Sequence, residues 1–246
     1  MSGITGSEVA MVRAAADFLE KAYQRGWLDR LIDVFRKEHN VLVLGATGTG
    51  KTAFIQSLTK ASAQAIDLMD RTEFVERSRV KIANRLLVFT DVPGPDYHYS
   101  KRKEVYIETM RTKGGIAGII NLVAYGYHET QAVKAPEIEV DGSVSETFLA
   151  QQRASEIEAL KEWTPILTGD IARCMITVVN KADLWWNRRD EVLDYYKTGD
   201  YYRALGEAQR LKPVVLEYNS VFQKFYGQAR MTGDFQDSDR IGRKRR

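Results

Sequence analysis

The chain of 246 residues has few of the features that mark secreted, membrane-spanning or metal-binding proteins. Its single cysteine, Cys174, excludes an intramolecular disulfide, and its apolar surroundings predict a small core residue instead of a reactive thiol. The three histidines lie far apart and form no metal-ligand pattern. The longest largely apolar run, residues 116–124, is too short for a transmembrane segment, which takes about 20 residues. Because no apolar signal core follows a basic start, we expect a cytoplasmic chain.

The charge of the chain is also close to balance, which gives no sign of nucleic acid as a partner. The formal net charge of +3 is too small to imply that the chain binds nucleic acid. The positive charge gathers at the end, in Arg240 and residues 243–246. We expect this tail to be solvated or to act as a weak tether to an acidic surface. Length and composition otherwise suit one globular domain of ordinary type.

Hydrophobic patterning predicts strands that alternate with helices. The predicted strands are residues 41–44, 76–82, 85–90, 116–125, 174–179 and 213–217, and the predicted helices are 8–37 with a break near Gly26, 52–63, 101–113, 146–163, 188–210 and 220–228. This alternation indicates an α/β fold with a doubly wound, mostly parallel sheet. Ala83-Asn84 suits a hairpin turn, so the strand over 76–82 is expected to be the one antiparallel edge strand.

Three segments are expected along the chain: an N-terminal helical extension over 1–39, one domain over 40–232 and a disordered basic tail over 233–246. The helical extension mixes acidic and basic residues on its polar face, so we expect it to pack on the domain and not on a membrane.

Aromatic residues at helical spacing are expected in the core and not as a stacking surface for nucleic acid. They are Trp185, Trp186, Tyr195, Tyr196, Tyr201 and Tyr202.

The segment Gly45–Thr52, GATGTGKT, matches the phosphate-binding pattern GxxxxGK[ST]. It follows an apolar strand and opens a helix, whose N-terminus adds a partial positive charge. Lys51 is expected to bridge the β- and γ-phosphates and the Thr52 hydroxyl to coordinate Mg²⁺. The alternative is a glycine-rich strand-to-helix turn with an incidental lysine. The expected phosphate-site residues are Gly45, Thr47, Gly48, Thr49, Gly50, Lys51 and Thr52.

A second motif, Asp91-Val92-Pro93-Gly94, follows the apolar run 86–89. Asp91 at the end of a buried strand is well placed to hold a metal through water, and the Gly94 amide to meet the γ-phosphate. DxxG occurs by chance in many chains. Its value here is its position, forty residues after Lys51.

A third motif, Asn180-Lys181-Ala182-Asp183, discriminates between bases. The Asp183 carboxylate can accept hydrogen bonds from N1–H and the exocyclic amine of guanine, whereas adenine has neither donor in that arrangement. Paired hydrogen bonds of this kind discriminate by orders of magnitude, which argues against an ATPase. The Lys181 stem is expected to cover one face of the base, and Asn180 to tie this loop to the phosphate loop. The alternative is a polar turn at a strand end.

These motifs, in this order, resemble those of the Ras-like, translation-factor-related class of P-loop GTPases, of which the chain looks like a divergent member. The resemblance covers residues 40–228 and implies GTP and GDP as ligands and Mg²⁺ as cofactor. It also implies a switch threonine, for which Thr72 is the candidate, although a lone loop threonine is the alternative. Asn219-Ser220, after the strand, looks like the short loop whose backbone amide contacts the guanine carbonyl.

The sequence departs from the Ras-like pattern in three places. Pro95 stands where many members carry the glutamine that orients the attacking water. Asp96, Tyr97 and His98 are the nearby substitutes, and we take His98 as the candidate catalytic side chain beside Lys51, Thr72 and Gly94. Thr47 stands where Ras-type proteins need glycine to admit an arginine finger. Asp91 and Asn180 are 89 positions apart (180 − 91), which is longer than a minimal domain needs.

The extra length is expected as an insertion over 126–145, a long loop or small hairpin at the edge of the sheet where open α/β folds bind ligands. We expect it to serve partner recognition or lid-like control, and the alternative is a surface insertion without function. Two functions remain open. One is a hydrolytic switch with slow intrinsic turnover that signals to an effector, and the other is a GTP-dependent scaffold that self-associates with little turnover.

Overall fold

The computed structural model describes residues 6–27, 30, 38–61, 71–72, 75–82, 85–92, 104, 107–108, 111, 115–128, 137–168, 172–220, 225–226 and 229–230. The strands are β1 (Glu38–Leu44), β2 (Arg71–Thr72), β3 (Val75–Ile82), β4 (Arg85–Asp91), β5 (Gly118–Val123), β6 (Met175–Val179), β7 (Val214–Glu217), β8 (Phe225–Tyr226) and β9 (Ala229–Arg230). The α-helices are α1 (Gly6–Gln24), α2 (Lys51–Ala61), α3 (Glu146–Lys161), α4 (Thr164–Thr168), α5 (Ala182–Trp185), α6 (Arg189–Lys197) and α7 (Asp200–Ala204). Two 3₁₀ turns, Trp186–Arg188 and Gly206–Leu211, are also described.

Seven strands form one sheet in the order β2-β3-β4-β1-β5-β6-β7. β4, β1, β5, β6 and β7 are parallel, and β3 runs antiparallel to β4. The expected doubly wound, mostly parallel sheet with one antiparallel strand is therefore confirmed. The two-residue β2 lies outside β3 and pairs antiparallel with it, so β3 is not the outermost strand.

The sheet is covered on both faces, which explains why its central strands are apolar without alternation. In β1, Leu42 and Leu44 belong to one buried cluster, whereas Val41 and Val43 belong to the cluster on the opposite face. All six residues of β5 are buried. Cys174 lies in the core, as its apolar neighbours predicted, and its Sγ lies 3.6 Å from the Ala117 carbonyl oxygen.

The N-terminal helix packs on the domain, as its mixed polar face predicted. Phe18 of α1 makes edge-to-face contacts with Phe54 of α2 and with Tyr218, at ring-centroid distances of 5.2 and 5.6 Å. Ala15 and Ala22 are fully buried on the same side of the helix. Among the described residues, no helix combines the length and apolarity needed to cross a membrane.

The expected last helix over 220–228 is wrong in its second half. Phe225 and Tyr226 form β8 and pair antiparallel with β9, with Phe225 opposite Arg230. Aromatic residues favour strands, and a two-residue link containing a glycine, here Gly227, is typical of a hairpin. The expected helix over 146–163 is present as α3, followed by the short α4. The basic tail over 233–246 and most of the segment 101–113 lie outside the described residues.

Candidate functional site

The turn between β1 and α2 requires glycine at two positions. Gly45 has φ +141°, and a Cβ there would lie 2.2 Å from the Leu122 carbonyl oxygen. Gly50 has φ +93°, and a Cβ there would lie 2.6 Å from Nδ2 of Asn180. Both positions combine positive φ with close backbone or side-chain approach, so no other residue fits them without displacement. The glycines of the phosphate motif therefore bring this turn against β5 and the loop after β6.

Side chains within the turn close it further. The Thr49 hydroxyl donates a hydrogen bond of 2.9 Å to the Ala46 carbonyl. The Lys51 ammonium donates to the carbonyls of Gly45, at 3.0 Å, and Ala46, at 3.2 Å. A hydrogen bond of 2.9 Å from the Phe54 amide to the Gly50 carbonyl starts the helix. The ammonium thus lies against a glycine-rich turn that opens a helix, an arrangement that suits phosphate oxygens.

Thr52 and Asp91, the two predicted magnesium ligands, are in contact although 39 positions separate them. The Thr52 hydroxyl donates a hydrogen bond of 3.0 Å to Oδ2 of Asp91. Asp91 ends β4 opposite Val43 of β1, so the parallel pairing places its carboxylate beside the phosphate turn. Hydroxyl and carboxylate oxygens are the ligands that Mg²⁺ prefers, and it usually takes one or two protein ligands plus phosphate oxygens. The pair therefore fits a magnesium ion shared with a bound phosphate.

The loop after β6 is joined to the phosphate turn by the buried Asn180, which is 1% exposed. Its Nδ2 donates a hydrogen bond of 2.9 Å to the Thr49 carbonyl, as the sequence predicted. Its Oδ1 accepts from the amide and the hydroxyl of Ser220, at 3.2 and 2.9 Å. One amide side chain thus holds together the three loops that carry the predicted phosphate and base contacts.

Lys181 and Asp183 follow on the same loop, and both are buried. Lys181 has φ +58°, and its ammonium donates a hydrogen bond of 2.7 Å to the Tyr127 carbonyl. Asp183 lies in the first turn of α5. The loop is also stabilised by the Trp185 indole, which donates a hydrogen bond of 2.8 Å to the Asn180 carbonyl. Asn219, which precedes Ser220, is also buried.

Other predicted site residues are not placed by the structure. Gly94 and His98 lie outside the described residues, as does Pro95. The backbone of Thr72 ends β2, but its side chain is not described. The phosphate turn, Asp91, the loop at 180–183 and Asn219-Ser220 are brought together, whereas the switch threonine and the candidate catalytic histidine remain predictions.

The described part of the insertion contains a small hairpin. Ile138 and Val144 form an antiparallel bridge, and the Glu139 amide donates to the Ser143 carbonyl at 2.9 Å. Val140 near its tip is fully exposed at 109%, an uncommon position for a large aliphatic side chain. The sequence predicted a long loop or small hairpin here, and the second form is present over 137–145.

Two buried polar contacts beside the site have no counterpart in the sequence motifs. The Tyr218 hydroxyl is hydrogen-bonded to the Ser57 hydroxyl of α2, and burial raises the pKa of Tyr218, so the phenol stays protonated. Glu156 of α3 accepts a hydrogen bond from the buried His128. The sequence carries a signal for the second contact, because Glu156 shares a helix face with Leu149 and Leu160 at spacings of seven and four.

Comparison with known proteins agrees with this geometry. A family model described as "50S ribosome-binding GTPase" matches residues 40–181, which is more than half of the chain. No curated protein sequence matches the chain at a significant level.

Three solved structures of FeoB proteins are among the structural matches. The cytosolic domain from L. pneumophila is 13% identical, with TM-score 0.41 over 74% of this chain and 62% of that one. The G domain from T. maritima is 14% identical, with TM-score 0.35 over 74% of this chain and 88% of that one. A GDP-bound mutant G domain from S. thermophilus is 14% identical, with TM-score 0.40 over 74% of this chain and 55% of that one. The chain thus spans less than two thirds of the first and third of these proteins.

The family match covers most of the loops that the structure brings together. The match begins in β1 and ends within the loop at 180–183, so it contains the phosphate turn, Asp91 and Asn180. The chain belongs to the family of GTP-binding P-loop proteins whose model is described as "50S ribosome-binding GTPase", and is a divergent, translation-factor-related member of that class.

Proposed function

We propose that the chain binds GTP with Mg²⁺, hydrolyses it slowly and acts as a molecular switch between GTP and GDP forms. The observation that carries this proposal is the 2.9 Å hydrogen bond from Asn180 to the Thr49 carbonyl. It brings a base-reading motif against a phosphate-binding turn, so one nucleotide can reach both. A glycine-rich turn with an incidental lysine gives no reason for this contact.

Each part of the nucleotide has a candidate partner. The Asp183 carboxylate would accept the two guanine donors, and the Lys181 stem would cover one face of the base. Lys51 would lie against the β- and γ-phosphates. Thr52 and Asp91, 3.0 Å apart, would hold Mg²⁺, which when bound neutralises charge on those phosphates. The backbone amide at Ser220 would meet the guanine carbonyl.

Slow hydrolysis is proposed from the sequence at and after the DxxG motif and from Thr47. A proline cannot orient water, and Pro95 occupies the position after DxxG. Thr47 carries a side chain where an arginine finger needs space. We propose that Thr72 completes the metal shell, that the Gly94 amide contacts the γ-phosphate and that His98 is the side chain that acts on the attacking water.

We also propose that a protein partner binds the switch regions and the insertion over 126–145. In its described hairpin, the exposed Val140 and the partly exposed Ile138 lie among carboxylates. These two exposed apolar side chains are the observation that favours a protein contact here. The departures at Thr47 and Pro95 also favour the second candidate function, a scaffold that assembles when GTP is bound.

Calorimetric titration with GTP, GDP and ATP tests the proposal. We expect tight magnesium-dependent binding of GTP and GDP, and weak binding of ATP. Lys51→Ala should lose most of the affinity for GTP while the fold survives, and the exposed Lys197→Ala is its matched control. Unchanged GTP binding in Lys51→Ala would contradict the phosphate-site assignment.

Two further measurements separate the switch from the scaffold. Single-turnover hydrolysis by the purified protein should be slow and slower still in His98→Ala. Sedimentation with GDP and with a non-hydrolysable GTP analogue should give the same mass for a switch. A larger mass with the analogue alone supports the scaffold.

A further inference from the structure

A carboxylate on α3 is enclosed without any role in the nucleotide motifs. The Glu156 side chain is 0% exposed. Its Oε1 accepts hydrogen bonds from the amides of Ala124, at 2.8 Å, and Gly126, at 3.3 Å, and from Nε2 of His128, at 2.8 Å. Its Oε2 accepts from the Tyr196 hydroxyl at 2.5 Å. Burying a charge is costly unless it is hydrogen-bonded, and these four donors all converge on one side chain.

Three of those donors belong to the segment 124–128, which we call the β5 turn. It is tight: Tyr125 and Gly126 have φ of +51° and +86°. A Cβ on Gly126 would lie 2.4 Å from the Leu149 carbonyl oxygen of α3. The Tyr127 amide closes the turn on the Ala124 carbonyl at 3.0 Å. A non-glycine residue at positive φ is strained, and such a conformation persists only where the surroundings hold it.

The β5 turn also receives support from α6. The Tyr125 amide donates a hydrogen bond of 2.9 Å to the Tyr196 hydroxyl, whose own proton goes to Glu156. Glu156 and Tyr196 therefore hold the turn from two helices. One backbone group of this turn, the Tyr127 carbonyl, reaches the base motif and accepts from the Lys181 ammonium at 2.7 Å.

We infer that Glu156 is a positioning residue of the guanine site, acting through the β5 turn and the Tyr127 carbonyl on Lys181. The inference rests on the proposed function, in which the Lys181 stem covers the base. With its ammonium anchored on the protein, the stem needs less ordering on nucleotide binding. Ordering a long side chain on binding weakens affinity by roughly two- to tenfold, and Glu156 removes that cost.

A double-mutant cycle on GDP affinity tests the inference. Glu156→Gln keeps the shape but places an amide donor among four donors, and Lys181→Met keeps the stem but removes the ammonium. We expect Glu156→Gln to weaken GDP binding by roughly two- to tenfold. In the Lys181→Met background the same change should have no further effect, because Glu156 acts through that ammonium. Additive losses would overturn the inference, since a merely structural carboxylate weakens both backgrounds alike.

Matched variants control for unspecific effects of substitution on GDP affinity and for loss of folding. Glu158→Gln on the same helix changes an exposed carboxylate paired with Lys161, and should leave GDP affinity unchanged. If Glu156→Gln does not fold, Tyr196→Phe replaces it in the cycle, with Tyr195→Phe as its control. Wild-type protein that binds no GDP would contradict the proposed function, whereas GDP binding with an additive cycle contradicts this inference alone.

Discussion

The side-chain amide of Asn180 donates a hydrogen bond of 2.9 Å to the backbone carbonyl of Thr49, a residue 131 positions earlier in the chain. The same side chain accepts from Ser220, a further 40 positions on. Because its donor and acceptor face different loops, both ends of the Asn180 side chain contribute to the assembled site.

Asn180→Asp should therefore separate the loops while barely changing size. A carboxylate cannot donate to the Thr49 carbonyl, and the two oxygens repel each other in a buried place, which costs about 1–3 kcal/mol or more. We expect GDP affinity to fall by about tenfold or more and the unfolding temperature to drop. The exposed Asn187→Asp is the matched control. Calorimetry and thermal melting check both effects, and wild-type values for Asn180→Asp would show that the loops hold together without this bond.

Much of this site could be predicted from the sequence, because its parts follow strand ends. Parallel strands bring their carboxyl ends to one edge, so motifs after β1, β4 and β6 had to meet. The pairing of Thr52 with Asp91 and of Asn180 with the phosphate turn follows from that geometry. The contact of the Lys181 ammonium with the Tyr127 carbonyl could not be predicted, because that carbonyl lies in a turn whose amides bond a glutamate 32 positions after Ala124. The sequence near the C-terminus also led to the wrong prediction of a helix where β8 lies, because periodicity is ambiguous over so few residues.

Thr52→Ala should weaken magnesium dependence more than nucleotide affinity. The hydroxyl lies 3.0 Å from Asp91 and supplies one of the oxygens expected around the ion. We expect the magnesium midpoint of GTP binding to rise by about tenfold, the loss of one ligand being worth about 1.4 kcal/mol. Thr59→Ala on the same helix is the control, because its hydroxyl bonds the Ile55 carbonyl within α2. An unaltered magnesium titration for Thr52→Ala would remove the threonine from the metal site.

Phe18→Ala should destabilise the whole domain and not α1 alone. The Phe18 ring is buried and lies edge-to-face against Phe54 and Tyr218. Removing a core phenylalanine costs about 3–5 kcal/mol of unfolding free energy. Tyr23→Ala, on the same helix but 61% exposed, should stay within about 0.5 kcal/mol of wild type. Urea unfolding measures both. If Phe18→Ala melts α1 at low urea and leaves the rest unchanged, the helix is an independent appendage.

Stability should fall as the solution becomes alkaline. Burial raises the pKa of Cys174 from 9.0 to about 12, and burial likewise raises the pKa of Tyr127 from 10.0 to about 12. Above pH 9 the unfolded chain releases these protons while the folded protein keeps them, so the unfolding free energy decreases between about pH 9 and 12. Cys174→Ala should show a shallower decrease of the unfolding free energy over this pH range.

A thiol reagent at pH 8 should react with Cys174 slowly in the native protein and fast in urea. Equal rates would show that the thiol is accessible.

Asp183→Asn tests the base assignment through one hydrogen-bond pattern. If Asp183 accepts N1–H and the exocyclic amine of guanine, the variant presents a donor amide to a guanine donor, and this desolvated mismatch costs on the order of 1–3 kcal/mol or more. Xanthine carries a carbonyl where guanine carries its amine, so the new amide finds an acceptor. The variant should lose GTP and gain xanthosine triphosphate, while ATP stays weak for both forms. A competition assay with the three nucleotides measures this for wild type, for Asp183→Asn and for the control Asp190→Asn, whose carboxylate is fully exposed. Should Asp183→Asn keep its preference for GTP over xanthosine triphosphate, Asp183 does not contact the base edge, and guanine recognition must come from another part of the loop.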